Sequence, residues 1–171
     1  MTVSEAIRKR RSIRKFKPGA TVTDEQIKLM LEAAMLAPSA CNTRPWEFIV
    51  VKDREKLNKI KKAHPYTGML ETASIAIIIC ALPETQQQPI MSGYFPQDCG
   101  AATENILLQA VELGLGTCWC GVYPKEERIA EIRSILNICE TKLPFCVIAV
   151  GVPDEDPNPR GYYDENKVTY V

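Results

Sequence analysis

The sequence predicts an α+β domain in which helices flank a mixed central sheet. Three observations carry that expectation. Ala73–Ala81, broken only by Ser74, and Phe145–Val152 are apolar runs of strand length rich in β-branched residues, as buried central strands are. Between them lie segments of helical period with recognisable start and stop signals. One of these, from Asp98, is apolar around most of its circumference and must be covered on more than one side.

In chain order, Thr2 or Ser4 can cap a short first helix carrying Ala6, Ile7 and Arg10. The segment Arg10-Arg11-Ser12-Ile13-Arg14-Lys15-Phe16 follows, with Ile13 between charged neighbours, a pattern that suits an extended strand-like stretch. Pro18-Gly19 is a turn. Thr23 and Gln26 form a capping box for a helix whose Ile27, Met30, Leu31, Ala34 and Met35 share one face, and Pro38 ends it. Residues 38–45 read as a loop, Trp46–Val51 as a strand and Asp53 as the cap of a helix through Leu57 and Ile60.

His64–Gly68 is a loop, and residues 83–96 form a long polar loop of the kind that often has a function. In the following helix Asn105, Gln109 and Glu112 make one narrow polar strip. Gly114 and Gly116 stop that helix, a strand runs from Thr117 to Gly121, and the chain turns at Tyr123-Pro124. Lys125–Leu136 is a helix. After the last strand, residues 153–171 form a Pro-rich polar tail, β-like at Val168–Val171, with little to bury against itself. The whole chain, residues 1–171, is read as one domain with this tail attached. At 171 residues it can bury roughly 70% of its unfolded surface.

Composition narrows the function. Net charge is zero, yet residues 8–17 hold seven of the 21 basic residues and no acid, leaving 14 basic against 21 acidic elsewhere. A single basic patch on an acidic chain points to a local anionic ligand, not to an extended nucleic-acid surface. Seven cysteines without a Cys-x-x-Cys pair fit reduced thiols and a cytoplasmic setting. No apolar run is long enough to span a bilayer, and the N-terminus lacks a signal-peptide core. His64 is the only histidine, which removes histidine-bearing zinc patterns and leaves no support for a nucleophilic triad. Gly114-Leu115-Gly116 follows a helix, so it is not the strand–glycine–helix fingerprint of a dinucleotide loop.

The basic segment is the strongest chemical signal. Guanidinium forks match phosphate oxygens, and Ser12 adds a hydroxyl donor. In extended chain Arg10, Ser12 and Arg14 would project to one side.

Four blocks, in order, carry a resemblance. Arg10–Phe16 resembles the flavin-binding opening of the nitroreductase family of FMN-dependent NAD(P)H oxidoreductases. Ala37-Pro38-Ser39-Ala40-Cys41-Asn42-Thr43-Arg44-Pro45-Trp46-Glu47-Phe48 is similar to its second signature. Asp98, Ala102, Glu104-Asn105, Leu108 and Gly114-Leu115-Gly116 resemble its third, and Pro157-Asn158-Pro159-Arg160 its C-terminal phosphate-binding segment.

The resemblance implies a mixed, mainly antiparallel sheet, and an intertwined homodimer with two FMN sites at the interface, the tail wrapping the partner. It implies that Arg10, Arg11, Ser12 and Arg14 hold the FMN phosphate, ribityl chain and pyrimidine edge, with Arg14 beside the ring edge where negative charge gathers on reduction. Pro38, Ser39 and Asn42 would approach the flavin from the partner subunit, Cys120 and Gly121 would bring backbone to the ring, and Arg160 would bind phosphate. No side chain is implied as catalytic acid or base. The implied reaction is a ping-pong transfer from NADH or NADPH to FMN and then to a small-molecule acceptor such as a nitroaromatic or quinone. The alternatives are a dehalogenating or flavin-cleaving enzyme of the same fold, or a flavin-binding redox sensor. Arg44 stands where many members have Gln, and Asn158 where some carry a basic residue.

Overall fold

The computed structural model describes residues 1–88, 90, 92–158 and 161–171. Helix α1 spans Val3–Lys9, α2 Asp24–Met35, α3 Arg54–Ala63, α4 Phe95–Glu112 and α5 Glu126–Leu136. Strands β1 (Trp46–Val51), β2 (Ile75–Ala81), β3 (Gly116–Gly121) and β4 (Leu143–Gly151) form one sheet in the order β1-β2-β4-β3.

All four strands pair antiparallel. The parallel component of the expected mixed sheet is a single bridge among the described residues, Ser12 to Thr117. β2 is buried along its whole length because it is sandwiched. Ile75, Ile77, Ile79 and Ala81 belong to one core with α2 and α4. Ala76, Ile78 and Cys80 belong to a second core with α3, α5, Ile13 and Phe16. Strand alternation thus feeds two apolar layers from one unbroken run.

The helix signals act as expected. Thr2–Glu5 and Thr23–Gln26 are complete capping boxes, and Asp53 caps α3 by accepting from the Lys56 N–H at 2.8 Å. α4 ends in a Schellman motif: the Leu115 N–H reaches the Ala110 carbonyl at 2.8 Å, that of Gly114 reaches Val111 at 3.1 Å, and Gly114 sits at φ +72°. Gly114 alone stops the helix.

Gly116 has a different purpose from the one expected. A Cβ there would lie 2.9 Å from the Ile13 side chain, so the glycine admits the basic segment against the sheet.

Residues 83–96 are not a continuous loop. Pro83–Gln86 is a 3-10 turn, and α4 starts at Phe95, three residues before Asp98, with Pro96 in its first turn, where a missing N–H costs nothing. Much of α4's wide apolar surface is covered within the chain by α1, α2 and the sheet. Beyond Pro153 the tail makes one 3-10 turn, Glu165–Lys167. Val168–Val171 pair with no strand among the described residues and stand exposed. Among the described residues no helix is long and apolar enough to cross a membrane.

Candidate functional site

The basic segment is fastened between the sheet and the start of the tail. Ile13 and Phe16 are buried, and a Cβ at Gly116 or Gly151 would come within 2.9 Å of one or the other. The Ile13 N–H donates to the Thr117 carbonyl at 2.8 Å, and the Lys17 N–H to that of Val152 at 2.9 Å. The Asp154 N–H returns a bond to the Lys15 carbonyl at 2.8 Å, and the Glu155 carboxylate accepts the N–H groups of both Arg14 and Lys15. With Ile13 turned into the core, alternation sends Arg14 outward.

Arg14 lines a cleft of about 580 Å³ at the outer edge of β3, together with Tyr66, Cys118, Trp119, Cys120, Gly121, Lys125 and Arg128. Three of its residues are cations and none is a carboxylate. The outer edge of β3 is only partly paired. Thr117 gives its carbonyl to Ile13, and the Gly121 carbonyl accepts from His64 Nε2 at 2.8 Å and Arg128 Nη1 at 3.2 Å. Alternation puts the Trp119 backbone on that same edge, and among the described residues its N–H and that of Gly121 have no partner. Cys120 turns its backbone inward to the ladder with Val147. Of the backbone pair expected from sequence, Gly121 therefore faces the cleft, with Trp119 instead of Cys120 as the second edge residue.

The other arginines diverge. Arg10 ion-pairs with Glu104 on α4 (3.3 Å), while Arg11 Nε donates to the Asn158 carbonyl at 3.3 Å and borders a separate cleft of about 970 Å³ with Arg8, Lys9, Asp156 and Pro157. Ser12 is held at the bridge to Thr117. Arg10, Ser12 and Arg14 thus do not share one side: the chain leaves α1 at Arg10 and only becomes strand-like from Ser12. Arg160 lies outside the described residues.

Pro38, Ser39 and Asn42 sit in the α2–β1 connection, which contributes nothing to the lining of the Arg14 cleft in this chain. That loop is tightly built. Cys41, Asn42 and Arg44 all adopt positive φ (49°, 57° and 49°), a conformation costing roughly 1–2 kcal/mol per non-glycine residue. What holds it is the buried Asp98 carboxylate, which accepts the Ala40 N–H at 3.1 and 3.2 Å and the Gln86 Nε2 at 2.7 Å. Within the loop Ser39 Oγ accepts the Arg44 N–H at 2.9 Å, and Asn42 Oδ1 accepts Arg44 Nε at 3.1 Å. Arg44 is consequently a latch on its own loop.

Sequence reasoning missed His64, Tyr66 and Arg128. Buried His64 ties its loop to β3, its Nδ1 accepting the Tyr66 N–H at 3.2 Å, and Arg128 lies 5.3 Å from the Tyr66 ring centroid. Only the register that brings residue 64 beside residue 121 reveals them. No three-residue group able to hold a metal occurs among the described residues.

This geometry defines a three-layer α+β domain that offers a cation-rimmed, half-open strand edge to a small ligand. Residues 7–64 and 61–152 match the Nitroreductase family. A Methanothermobacter thermautotrophicus protein provisionally named NADH dehydrogenase/NAD(P)H nitroreductase is 46% identical over 98% of this chain and 86% of its own. A crystal structure of a Bacteroides thetaiotaomicron protein with the same provisional name superposes with a TM-score of 0.91 at 42% identity, covering 98% of this chain and 96% of that one. The FMN-dependent nitroreductase of Clostridium difficile superposes at 0.87 with 34% identity, covering 96% of each. The chain belongs to the nitroreductase family of oxidoreductases.

Proposed function

We propose that the protein is a homodimeric FMN-dependent oxidoreductase that uses NADH or NADPH to reduce a small acceptor. The observation that supports this most directly is the β3 edge: two N–H groups, of Trp119 and Gly121, turned to a cleft rimmed by Arg14, Lys125 and Arg128 with no opposing carboxylate. These residues fit the group. Its ring carries polar edge atoms suited to backbone N–H donors, and its anionic parts suit fixed cations.

When bound, FMN would supply the redox chemistry, hydride acceptance from NAD(P)H and, in a separate half-reaction, electron donation to an acceptor such as a nitroaromatic or quinone. The chain's own residues hold and tune. Arg14 has its backbone fixed by the bonds around it, which places its guanidinium at the cleft, where it stabilises developing negative charge. Gly121 is held in place by His64 and Arg128 through its carbonyl, which leaves its N–H free to bind. Arg10, Arg11, Ser12 and Arg160 hold the phosphate and ribityl chain, and Cys120 packs below the edge. Pro38, Ser39 and Asn42 reach the site of a second copy, and residues 153–171 wrap that copy. No side chain is asked to move a proton.

The visible spectrum of the purified protein tests the reading. The expected result is a yellow protein that bleaches on adding NADH or NADPH. Colourless protein that takes up no FMN when offered it overturns the proposal.

A further inference from the structure

Cations line the cleft at both ends of the β3 edge. Ser12 is bridged to Thr117, so Arg14 enters beside the start of the strand. Lys125 and Arg128 stand at the other end, where Arg128 Nη1 donates to the Gly121 carbonyl at 3.2 Å. Three residues apart at the start of α5, the two side chains are neighbours.

Neither of these two cations is neutralised. Glu126, Glu127 and Glu131 belong to the same helix, yet among the described residues no carboxylate pairs with Lys125 or Arg128, and none lines the cleft. Arg128 is also steadied from a second side, its guanidinium carbon lying 5.3 Å from the Tyr66 ring centroid. Tyr66 itself is exposed and lines the cleft beside it.

We propose that Lys125 and Arg128 form an anion subsite for the electron acceptor, which therefore carries a carboxylate or similar oxyanion on an aromatic body lying along Tyr66. The inference rests on the flavin reading above for the reaction and adds the charge of the molecule that is reduced.

FMN does not account for these two cations. Its anionic parts are the phosphate, assigned above to Arg10, Arg11, Ser12 and Arg160, and the ring edge that gains charge on reduction, assigned to Arg14. Like charges adjacent on a helix repel one another, and an oxyanion between them replaces that repulsion with two attractions. The planar fork of Arg128 suits a carboxylate, while Lys125 adds a point charge on a flexible stem. A neutral acceptor gains from neither. Position decides which reactant brings the anion. Arg128 is bonded to Gly121, whose N–H is assigned to the flavin, so the subsite adjoins the reacting ring. It suits a charged group close to the reducible atoms. The 2′-phosphate of NADPH is separated from the nicotinamide by two riboses and a pyrophosphate.

The test compares 4-nitrobenzoate with its neutral counterpart 4-nitrobenzamide as acceptors for the FMN-loaded protein at saturating NADH. The two compounds differ in intrinsic reducibility, but that difference is the same for every variant. The readout is therefore the change in the ratio of their kcat/KM values, in which loss of flavin or of folded enzyme cancels. Lys125→Glu should lower the benzoate-to-benzamide ratio about tenfold. Arg128→Gln, which keeps an N–H donor for Gly121, should lower it about threefold. High salt should lower the wild-type ratio in the same direction. A purely structural role for either residue would leave the ratio unmoved.

A second measurement needs neither turnover nor FMN. Exposed Trp119 lines the cleft, whereas Trp46 is buried in β1, so quenching of tryptophan fluorescence by the two nitro compounds reports binding beside Trp119. The carboxylate should bind several-fold more tightly than the amide, and Lys125→Glu should remove that advantage. Protein that takes up no FMN yet discriminates in this way refutes the flavin reading and keeps the anion subsite. Yellow, NADH-reducible protein whose acceptor ratio is the same in wild type, Lys125→Glu and Arg128→Gln overturns the subsite and leaves the flavin reading intact. Protein that shows no discrimination in either measurement overturns the subsite. A Lys125→Glu effect confined to the ratio of NADPH to NADH assigns the pair to the dinucleotide and also overturns it.

Discussion

His64 Nε2 lies 2.8 Å from the Gly121 carbonyl, joining the chain's only histidine to the edge of the cleft across 57 residues of sequence. Because Nδ1 accepts the Tyr66 N–H, Nε2 carries the proton and the tautomer is fixed. His64→Leu would leave the half-buried Tyr66 N–H without an acceptor and the Gly121 carbonyl with Arg128 alone. The expected cost is about 2–4 kcal/mol in urea unfolding. His64→Gln, which can still donate to Gly121, should recover about half. Equal stability of Leu and wild-type protein would mean that the bond contributes nothing.

Arg14 is predicted to control flavin affinity. Arg14→Ala should weaken FMN binding about 10- to 100-fold, the equivalent of one charge-assisted hydrogen bond. Arg14→Lys should restore charge but not the planar fork, and so lie between. Fluorescence titration with FMN measures both. Unchanged affinity in the Ala protein would remove Arg14 from the binding residues.

Gly116→Ala should destabilise the chain by about 1–3 kcal/mol, because the new methyl meets Ile13 at 2.9 Å with the basic segment already fixed. Combining it with Ile13→Ala should cost less than the sum of the two single changes, since each relieves the other. A double-mutant cycle that closes additively would place the strain elsewhere.

Asp98→Ala should release the loop at residues 38–45. It removes the acceptor of the Ala40 N–H and of Gln86 Nε2, at an expected cost of about 2–4 kcal/mol. Local amide exchange should rise at Ala40 and Thr43 more than in β2. Uniform acceleration across the chain would show a global effect instead of a local latch.

Much of the fold was legible because the elements announce themselves locally. Trp46–Val51 begins and ends where its β-branched run does, and the Thr23 and Asp53 caps sit at their predicted helices. Two misreadings have one cause, a residue type with two uses. Pro96 closes the polar stretch that reads as a loop, yet proline is equally at home in a helix's first turn. Gly116 reads as a helix stop, yet its missing side chain makes room for Ile13, a contact between residues 103 positions apart. The site divides in the same way. Arg14 and Gly121 could be named from motif order, whereas His64, Tyr66 and Arg128 enter only through pairings of distant chain segments. The divergence of Arg10 from Arg14 depended on where α1 stops, which helix propensity in a basic run does not determine.

The anchoring of the Ile13–Lys17 segment has a consequence for how the protein comes into being. That stretch leaves the ribosome well before the sheet and tail residues that anchor it through backbone bonds, Thr117, Val152 and Asp154. Arg14 is therefore synthesised early and seated late. Until β3 and β4 have emerged and paired, the seven-cation run of residues 8–17 travels as a loose basic arm, and closing so long a loop is slow. A nascent or truncated chain lacking its final strand would hold every arginine of the opening motif and still have no cleft to offer.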